Sequence, residues 1–423
     1  MKQQPQAAAP WFDGATGQYY LQINANEFRK LDSGDVKLHL RKSGLHSKMF
    51  VGALNELEHA LVMAQTERCL AYSGPVAGYR VGPFNTMDGR TVLVTSAPAL
   101  PSPKRGAWKT LRTFFEQLFG DQTEVAFAWH KCAFESLVKG DFRASQVFAL
   151  AGPAGCGKGL WQTLTTAMLG GRVGKPYKFL TGETHFNADL AEAEHWCISD
   201  EHGSTDVRAR RKLGNAIKTI CADADLFIHG KGAKALVLPT YRRLTLSVND
   251  ETENLQIIPP LDASLADKIT LVKCTPADVG SDRVKTWKTL TSELPAYLWH
   301  LLNEFEIPKT MRDPRYGVKS WHNPELLEQL TGESPEQRLL NIIDETLWQE
   351  KDACKVQVQC TADELERRLR STPFAFAVDK LLYFSSATGV YLSRLEKRGD
   401  GRVTHKSAGG NKKLWIISPA KPA

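Results

Sequence analysis

The chain has 423 residues, more than a single hydrophobic core usually serves, so we expect several domains. Its 54 Lys and Arg residues against 47 Asp and Glu give a formal charge of +7, which suits a polyanionic partner without identifying one. The eight cysteines form no CxxC pair, which argues against a structural zinc site and favours free thiols. Without a signal-peptide core or an apolar run of about 18 residues, the sequence predicts a soluble, cytoplasmic protein that has no membrane partner.

The first part of the chain predicts a small mixed α+β domain, residues 1–96. Polar and apolar residues alternate in two strand-like segments, GQYYLQIN and RTVLVTS. Between them lies a helical pattern, NELEHALVMAQTERCLAY. The segment that follows, APALPSPKRG, contains three prolines and is typical of a linker.

Two amphipathic helical patterns come next and predict a helical collar or oligomerisation region, residues 97–145. Each carries apolar residues at a spacing of three to four and ends at glycine: GAWKTLRTFFEQLFG and QTEVAFAWHKCAFESLVKG. A buried strand, SQVFALAG, then opens alternating strands and helices, the pattern of an α/β domain at residues 146–332.

The last part, residues 333–423, predicts a winged helix. The segments QRLLNIIDETLWQE and TADELERRLR have helical spacing. We predict strands in KLLYFSSATGVYLSRLEKR and in NKKLWIISPA, joined by a basic, Gly-rich loop. Helices followed by a short hairpin are typical of that fold.

A phosphate-binding loop is predicted at GPAGCGK, residues 152–158. It follows the strand VFALA and leads into the helical pattern GLWQTLTTAML, the context that a P-loop requires. Backbone N–H groups of such a loop cradle the phosphates of ATP, and Lys158 can reach the β- and γ-phosphates. The residues predicted to bind nucleotide are Gly152, Pro153, Ala154, Gly155, Cys156, Gly157, Lys158, Gly159 and Leu160. The alternative, a glycine-rich turn with an incidental lysine, is disfavoured by the flanking strand and helix.

One position departs from the P-loop pattern. Gly159 stands where a Ser or Thr usually offers its hydroxyl to Mg²⁺. Water or the Thr163 hydroxyl, one helical turn on, could replace that ligand. Alternatively, the protein binds nucleotide and hydrolyses it poorly.

Two further polar positions follow apolar strand patterns. In HWCISDEHG, we expect Asp200 to hold Mg²⁺ through water and Glu201 to act as general base on the attacking water. The third strand, RRLTLSVND, ends in Asn249, which can orient the water near the γ-phosphate. Each of these signals is weak when taken alone, because adjacent acidic residues are common on protein surfaces and Asn249 could be a turn residue.

In this order and at these spacings, GPAGCGK, CISDE and LTLSVN resemble motifs A, B and C of the superfamily 3 helicases. The resemblance covers roughly residues 100 to 300 and is strongest to replication proteins of phages, plasmids and phage satellites. It implies an AAA+ P-loop ATPase core of α/β class and a homo-hexameric ring. It also implies 3′-to-5′ movement on single-stranded DNA in a central pore.

The segment DLFIHGKGAKALVLP predicts a hairpin with an exposed basic tip. The resemblance assigns Lys231 to the DNA backbone in the pore, with His229 and Lys234 as helpers. A lysine contacts phosphate as a point charge, independently of sequence, as a translocating motor requires. The alternative is a surface hairpin whose lysines only keep it soluble.

The basic helix DVRARRKLGNAIK follows the acidic pair. Its cations lie near the pore or nucleotide, or else on a solvated face or subunit contact: Arg208, Arg210, Arg211 and Lys212. AAA+ rings also complete each ATP site with an arginine from the neighbouring subunit. Lys268 stands where the resemblance expects that finger, with Arg242 and Arg243 as rivals.

The C-terminal segment carries twelve Lys or Arg against six Asp or Glu from Thr361 onwards. The stretch GDGRVTHKSAGGNKK would form a wing that contacts duplex origin DNA, or else belongs to a packing domain with a loop.

The sequence thus favours an ATP- and Mg²⁺-dependent DNA helicase, with three alternatives. A priming enzyme would need a metal-binding acidic motif, whereas Asp32, Asp35 and Asp88 occupy ordinary turn contexts. An origin-binding scaffold that uses ATP only to assemble is compatible with Gly159. A small-molecule kinase would need neither the basic hairpin nor the strand ending in asparagine.

Overall fold

The computed structural model describes residues 9–48, 50–185, 187–199, 207–223, 225–228, 236–278, 280, 282–332, 334–348, 357–399, 401–407 and 413–419. The chain divides into two compact units, Met1–Leu326 and Leu327–Ala423. The division into four domains stays a prediction, because the first unit holds the N-terminal, collar and α/β regions together. Among the described residues, the helices are too short or too polar to cross a bilayer.

The N-terminal region contains two small sheets and two helices. Its elements are β1 (Trp11–Asp13), β2 (Gln18–Asn24), β3 (Glu27–Leu31), α1 (Ser33–Lys42), β4 (Phe50–Val51), β5 (Leu54–Asn55), α2 (Glu56–Glu67), β6 (Cys69–Leu70), β7 (Tyr72–Gly74), β8 (Gly82–Asn85) and β9 (Thr91–Val94). The sheets have the orders β3-β2-β1-β6 and β7-β9-β8. A capping box between Asn55 and Glu58 starts α2 where the sequence predicts a helix.

The rest of the first unit alternates strands and helices. Its elements are α3 (Lys109–Phe119), α4 (Thr123–Lys139), β10 (Val147–Ala151), α5 (Lys158–Met168), β11 (Val173–Gly174), α6 (Tyr177–Leu180), α7 (Ala188–Ala191), β12 (His195–Ile198), α8 (Val207–Ala222), β13 (Asp225–Ile228), β14 (Leu236–Pro239), β15 (Arg243–Val248), α9 (Thr252–Leu255), β16 (Ile269–Lys273), α10 (Arg283–Asn303), β17 (Arg312–Asp313) and β18 (Gly317–Val318). Helix α11 (Pro324–Gly332) begins in the first unit and ends in the second.

A five-stranded parallel sheet organises this region, in the order β11-β12-β15-β10-β16. Every residue of β10 and β15 is buried, as expected for central parallel strands covered on both faces. Ala151 pairs with Val248, and Ile198 pairs with Leu246. The carboxyl ends of β10, β12 and β15 therefore share one edge, at which the predicted phosphate loop begins.

The predicted collar helices share a hydrophobic core with this sheet. Phe115 of α3 and Phe134 of α4 belong to the cluster that also contains Phe148 of β10, Trp161 of α5 and Tyr297 of α10. The proline-rich segment also contacts this region, since the Lys104 N–H donates to the Pro295 carbonyl at 2.9 Å. The helices are as predicted, whereas their collar role stays a prediction.

The second unit is built from helices around a three-stranded sheet. Its elements are α12 (Pro335–Leu347), β19 (Val358–Cys360), α13 (Ala362–Arg370), α14 (Ala375–Leu381), α15 (Ala387–Arg398), β20 (Val403–Ser407) and β21 (Lys413–Ile417). The sheet is antiparallel with the order β19-β21-β20.

The strand predicted in KLLYFSSATGVYLSRLEKR is wrong, because the structure forms a helix there. Ala387, Tyr391 and Leu395 are buried at intervals of four residues, the spacing of one helix face. Gly399, at φ 78°, supplies the left-handed residue that ends α15. The strand predicted in NKKLWIISPA is present as β21.

Candidate nucleotide-binding site

The predicted phosphate loop joins β10 to α5, and its glycines meet two different demands. Gly155 and Gly157 have φ angles of 75° and 118°, in the region that other residues rarely adopt. At position 152, glycine is required because there is no room for a side chain: a Cβ atom there would lie 2.5 Å from the Cys274 carbonyl oxygen. The loop thus depends on both backbone freedom and a close approach by the chain after β16.

Neighbouring elements support the loop from two sides. A Cβ atom on Gly157 would lie 3.1 Å from the ring of Phe114, so α3 packs directly against the loop. On the other side, the Ala277 N–H donates to the Cys156 carbonyl at 3.1 Å. The loop is therefore held by residues distant in sequence as well as by its own strand and helix.

Lys158 is buried at the start of α5, and its ammonium group donates three hydrogen bonds. They go to the carbonyls of Gly152 and Pro153, at 2.6 and 3.0 Å, and to Asn249 Oδ1 at 2.9 Å. Asn249 directly follows β15, the neighbour of β10 in the sheet. Two residues that the sequence assigns to separate motifs are thus in contact.

Gly159, which stands where a Ser or Thr usually supplies a hydroxyl, is exposed. Thr163 is exposed too, and its hydroxyl donates to the Gly159 carbonyl at 2.8 Å. Asp200 and Glu201, the predicted metal and water ligands, lie outside the described residues, although β12 ends nearby in the chain at Ile198. Of the predicted magnesium neighbours, the structure thus describes Gly159 and Thr163.

A buried polar network that the sequence analysis missed links α5 to the neighbouring strands. His195 of β12 contacts the hydroxyls of Thr166 and Thr245, at 2.7 and 2.8 Å. Gln162 donates to the same Thr245 hydroxyl at 2.9 Å and to the Ile198 carbonyl at 3.2 Å. Burial lowers the pKa of His195 to about 3, so the ring is neutral. This network fixes the P-loop helix against the strands that carry the second and third motifs.

A second buried histidine lies on the other side of α5. His130 of α4 hydrogen-bonds to the hydroxyls of Tyr297 and Thr165, at 2.9 and 3.0 Å, and stacks on Trp161 with a centroid separation of 4.8 Å. Burial lowers its pKa to about 3, with a smaller contribution from His195. The sequence signal for these networks is the presence of polar residues inside otherwise apolar helix and strand patterns.

Two cysteine thiols meet beside the loop. A hydrogen bond from the Cys274 thiol, followed by the positive charge of Lys158, lowers the pKa of Cys156 to about 6 against the opposing effect of burial. Burial raises the pKa of Cys274 well above its ordinary value, and the contact with Cys156 raises it further. Sequence reasoning singled out Cys156 alone, since the contact depends on the fold.

The elements predicted to face DNA are partly described. Strands β13 and β14 pair in antiparallel register, Ile228 opposite Leu236, as predicted for the hairpin. The tip residues His229, Lys231 and Lys234 lie outside the described residues.

The basic pattern before the hairpin forms α8. Arg210 donates to the Ile258 carbonyl at 3.1 Å, whereas Arg211 and Lys212 are exposed. The side chain of Arg208 lies outside the described residues.

The three finger candidates lie at the amino ends of β15 and β16, the edge opposite the phosphate loop. Lys268 forms an ion pair with Asp267 at 2.7 Å. Arg242 donates to the Ile220 carbonyl at 3.1 Å, and burial lowers its pKa to about 10. Arg243 donates to the Arg242 carbonyl at 2.8 Å and is buried. Neither arginine presents an exposed guanidinium.

The acidic residues weighed for a priming activity occupy local turns and caps. Asp32 accepts from the Asp35 N–H at 2.8 Å at the start of α1. Hydrogen bonds from Arg90 and then Thr86 lower the pKa of Asp88 to about 2.

Comparisons with known proteins give a consistent answer on the fold. No family model and no curated protein matches the sequence. One apo structure of the NrS-1 C-terminal region aligns with 97% of this chain and 95% of its own, at 12% identity and a TM-score of 0.56. An A-form apo structure of the same region aligns over 97% and 96%, at 12% identity and a TM-score of 0.54. The chain thus shares the fold of the NrS-1 C-terminal region over nearly its full length.

Proposed function

We propose that this chain is an ATP-driven DNA helicase of the superfamily 3 type that serves replication of a phage, plasmid or phage satellite. The observation that carries the proposal is the contact between Lys158 and Asn249, which joins the phosphate loop to the third motif. A glycine-rich turn with an incidental lysine would not need a buried ammonium group hydrogen-bonded to the end of the adjacent strand. The kinase alternative does not account for that strand together with the basic hairpin.

The geometry supports a division of labour at the phosphates. The N–H groups of the loop and the Lys158 ammonium bind the triphosphate, as Lys158 exchanges the Gly152 and Pro153 carbonyls for phosphate oxygens. Asn249 orients the attacking water. Glu201 accepts the proton of that water.

Mg²⁺, when bound, neutralises charge on the phosphate oxygens. Asp200 would hold it through water, and the Thr163 hydroxyl, one turn beyond Gly159, is an oxygen of the kind that this ion prefers. Because Gly159 has no side-chain oxygen, Mg²⁺ would have one protein ligand fewer than in most P-loops. This also supports a second candidate function, a scaffold that binds ATP in order to assemble at an origin and hydrolyses it slowly.

The motor would act on DNA through the β13–β14 hairpin. Lys231, with His229 and Lys234, would contact single-stranded DNA in the pore of a homo-hexamer that moves 3′-to-5′. Lys268 is our candidate for the finger supplied by the neighbouring subunit, because Arg242 and Arg243 are committed to carbonyls inside their own subunit.

The second unit supports a winged helix that contacts duplex DNA. Its elements follow the order α12-β19-α13-α14-α15-β20-β21, and α15, the last helix before the β20–β21 hairpin, lies where a recognition helix belongs. One face of α15 lines a cleft with β21 and the start of α13, through Ser386, Gly389, Val390, Ser393 and Lys397. Small side chains let the helix approach closely, while Lys397 and Lys413 supply positive charge for phosphates.

The test is the ATPase rate with and without single-stranded DNA, measured while the oligomeric state is monitored. We expect wild-type turnover to be stimulated by DNA and Glu201→Gln to abolish turnover. Lys231→Ala should lose the stimulation alone, whereas Lys285→Ala, an exposed lysine on α10, should behave as wild type. Tight ATP binding and assembly without turnover in the wild type would instead establish the scaffold.

A further inference from the structure

The turn between β7 and β8 joins the N-terminal region to the α/β region. Ala77 bonds through both of its backbone groups: its N–H donates to the Ala191 carbonyl at 2.8 Å, and its carbonyl accepts from the Tyr241 N–H at 3.2 Å. The Gly78 N–H donates to Glu194 Oε1 at 2.8 Å. The motor residues in these contacts lie just ahead of β12 and β15 in the chain, so the turn is bound near the amino ends of these two strands.

Close packing allows this turn only one position. Val76 is fully buried. Gly78 has a φ angle of 84°, and a Cβ atom there would lie 2.5 Å from the Cβ of Tyr241. Glu194, which accepts from the turn, is itself buried and forms an ion pair with Arg172, so its carboxylate is held as well. The turn is thus an integral part of the α/β region, although the sequence places it in a separate N-terminal domain.

Tyr79, the last residue in this series of contacts, reaches the base of the β13–β14 hairpin. Its hydroxyl donates to the carbonyl of Pro239, which stands opposite Asp225 in the hairpin register, at 2.9 Å. Its ring stacks on Phe84 of β8 at a centroid separation of 4.5 Å and contacts the ring of Phe142 at 5.0 Å. Burial, followed by the negative charge of Asp225, raises the pKa of Tyr79 to about 12, so the hydroxyl keeps the proton that it donates.

We propose that Tyr79 is a positioning residue for the β13–β14 hairpin: it sets the direction in which the two strands leave the α/β region, and thereby the fit of the hairpin to single-stranded DNA. The inference rests on the proposed function, in which this hairpin contacts DNA. It gives the N-terminal region a part in coupling DNA binding to ATP turnover.

The length of the hairpin makes its base important. The strand steps from Pro239 to Leu236 span about 10 Å, at about 3.3 Å per residue. A rotation of about 10° at the base therefore moves the far end of β14 by about 2 Å. A misplacement of about 1 Å is already enough to weaken a positioned contact strongly. The phosphate loop lies at the opposite edge of the sheet, so loss of the Tyr79 hydroxyl should change DNA binding and leave nucleotide binding intact.

The experiment measures ATP turnover of the full chain against the concentration of single-stranded oligothymidylate. Tyr79→Phe keeps the ring and its contacts with Phe84 and Phe142 and removes only the hydroxyl. We expect the oligothymidylate concentration at half-maximal stimulation to rise about fivefold, the effect of one hydrogen bond. Turnover without DNA and affinity for a fluorescent ATP analogue should stay at the wild-type values. Tyr79→Ala also removes the ring contacts and should give a larger rise.

Tyr19→Phe is the matched control. The Tyr19 hydroxyl accepts from Gln65 Nε2 at 2.7 Å inside the N-terminal region, so this variant also loses one tyrosine hydrogen bond, away from the hairpin. Its response to oligothymidylate should equal that of the wild type.

A double-mutant cycle tests whether Tyr79 acts through the hairpin. The affinity for labelled oligothymidylate is measured by fluorescence anisotropy in Tyr79→Phe, in Lys231→Ala and in the variant that combines them. The combined variant should bind no more weakly than Lys231→Ala alone, because the contact that Tyr79 positions is already absent.

Hydrogen exchange followed by mass spectrometry observes the hairpin without DNA or nucleotide. Tyr79→Phe should speed exchange in the peptides that contain β13 and β14, because the base of the hairpin loses a hydrogen bond. Tyr19→Phe should leave exchange in these peptides unchanged.

Unchanged DNA affinity in Tyr79→Phe would overturn the proposal, as would a further loss of affinity when Tyr79→Phe is added to Lys231→Ala. Absence of DNA binding by the wild type would count against the proposed function instead. Exchange in the hairpin peptides would then still decide whether Tyr79 holds the hairpin, and unchanged exchange would show that it does not.

Discussion

The ammonium group of Lys158 and the side-chain oxygen of Asn249 are 2.9 Å apart, so the phosphate loop and the third motif are in contact before nucleotide binds. The ammonium keeps its two carbonyl acceptors if Asn249 is removed. Under the proposed function the two residues differ in role, since Lys158 would bind the phosphates and Asn249 would act in the chemical step.

We expect Asn249→Ala to lower ATP turnover about a hundredfold while changing ATP affinity only a few-fold, because it removes the group that orients water. Steady-state turnover and analogue binding measure the two effects. Asn254→Ala is the matched control, since Asn254 hydrogen-bonds to Glu251 at 3.0 Å on the short helix α9. Undiminished turnover in Asn249→Ala would contradict the assigned role.

Gly159→Ser should raise Mg²⁺-dependent turnover several-fold by restoring the hydroxyl that the metal usually receives. The substitution is sterically free, because a Cβ atom at Gly159 would meet no described atom within 4 Å. Gly159→Ala adds the same Cβ without the hydroxyl and should leave turnover near the wild-type value. Equal effects of serine and alanine would mean that helix stabilisation, rather than metal binding, is responsible.

The rate of Cys156 alkylation should reach half its maximum near pH 6, because the thiolate forms above the lowered pKa. Cys274→Ala should move this midpoint to higher pH, since it removes the hydrogen bond that favours the thiolate most. Iodoacetamide labelling followed by peptide mass spectrometry gives the rate at Cys156 alone. A midpoint unchanged by Cys274→Ala would show that the hydrogen bond has no such effect.

Acid should destabilise the first unit through its buried histidines. Folding lowers the pKa of His130 and that of His195 to about 3, so between that value and about pH 6.5 only the unfolded chain takes up these protons. Their contribution is complete above about pH 6.5 and is lost as the pH falls. From pH 7 to 5.5 we expect a loss of about 2–3 kcal/mol in the free energy of unfolding, measured by urea denaturation. His195→Gln should remove about half of this pH-dependent part, and an unaltered pH dependence would exclude His195 as its source.

The double variant Lys397→Ala, Lys413→Ala should weaken binding to duplex DNA of any sequence and reduce the slope of log affinity against log salt by about 2. Both lysines line the α15 cleft. Arg338→Ala combined with Lys285→Ala removes the same charge from exposed residues outside that cleft lining and outside the predicted wing, and is the control. An equal loss in both double variants would show a general charge effect rather than a surface centred on α15.

Local sequence predicted the motif-bearing strands and the P-loop helix, because β10 is a continuous apolar run and β15 alternates polar with apolar residues, each next to strong turn signals. It failed at α15, where Tyr, Phe and Val residues favour a strand locally while burial of Ala387, Tyr391 and Leu395 selects a helix. The partners of Cys156 and His195 could not be predicted, since their contacts depend on how distant strands and helices pack. The acidic pair and the hairpin tip stay predictions.

The packing of Phe114 against Gly157 has an evolutionary consequence. A recombination junction placed just ahead of the first motif would pair the phosphate loop with a foreign helix. That helix would have to fill the space of the Phe114 ring without blocking the left-handed turn at Gly157. Viable junctions should therefore lie upstream of Trp108, and α3 should be inherited with the phosphate loop it supports.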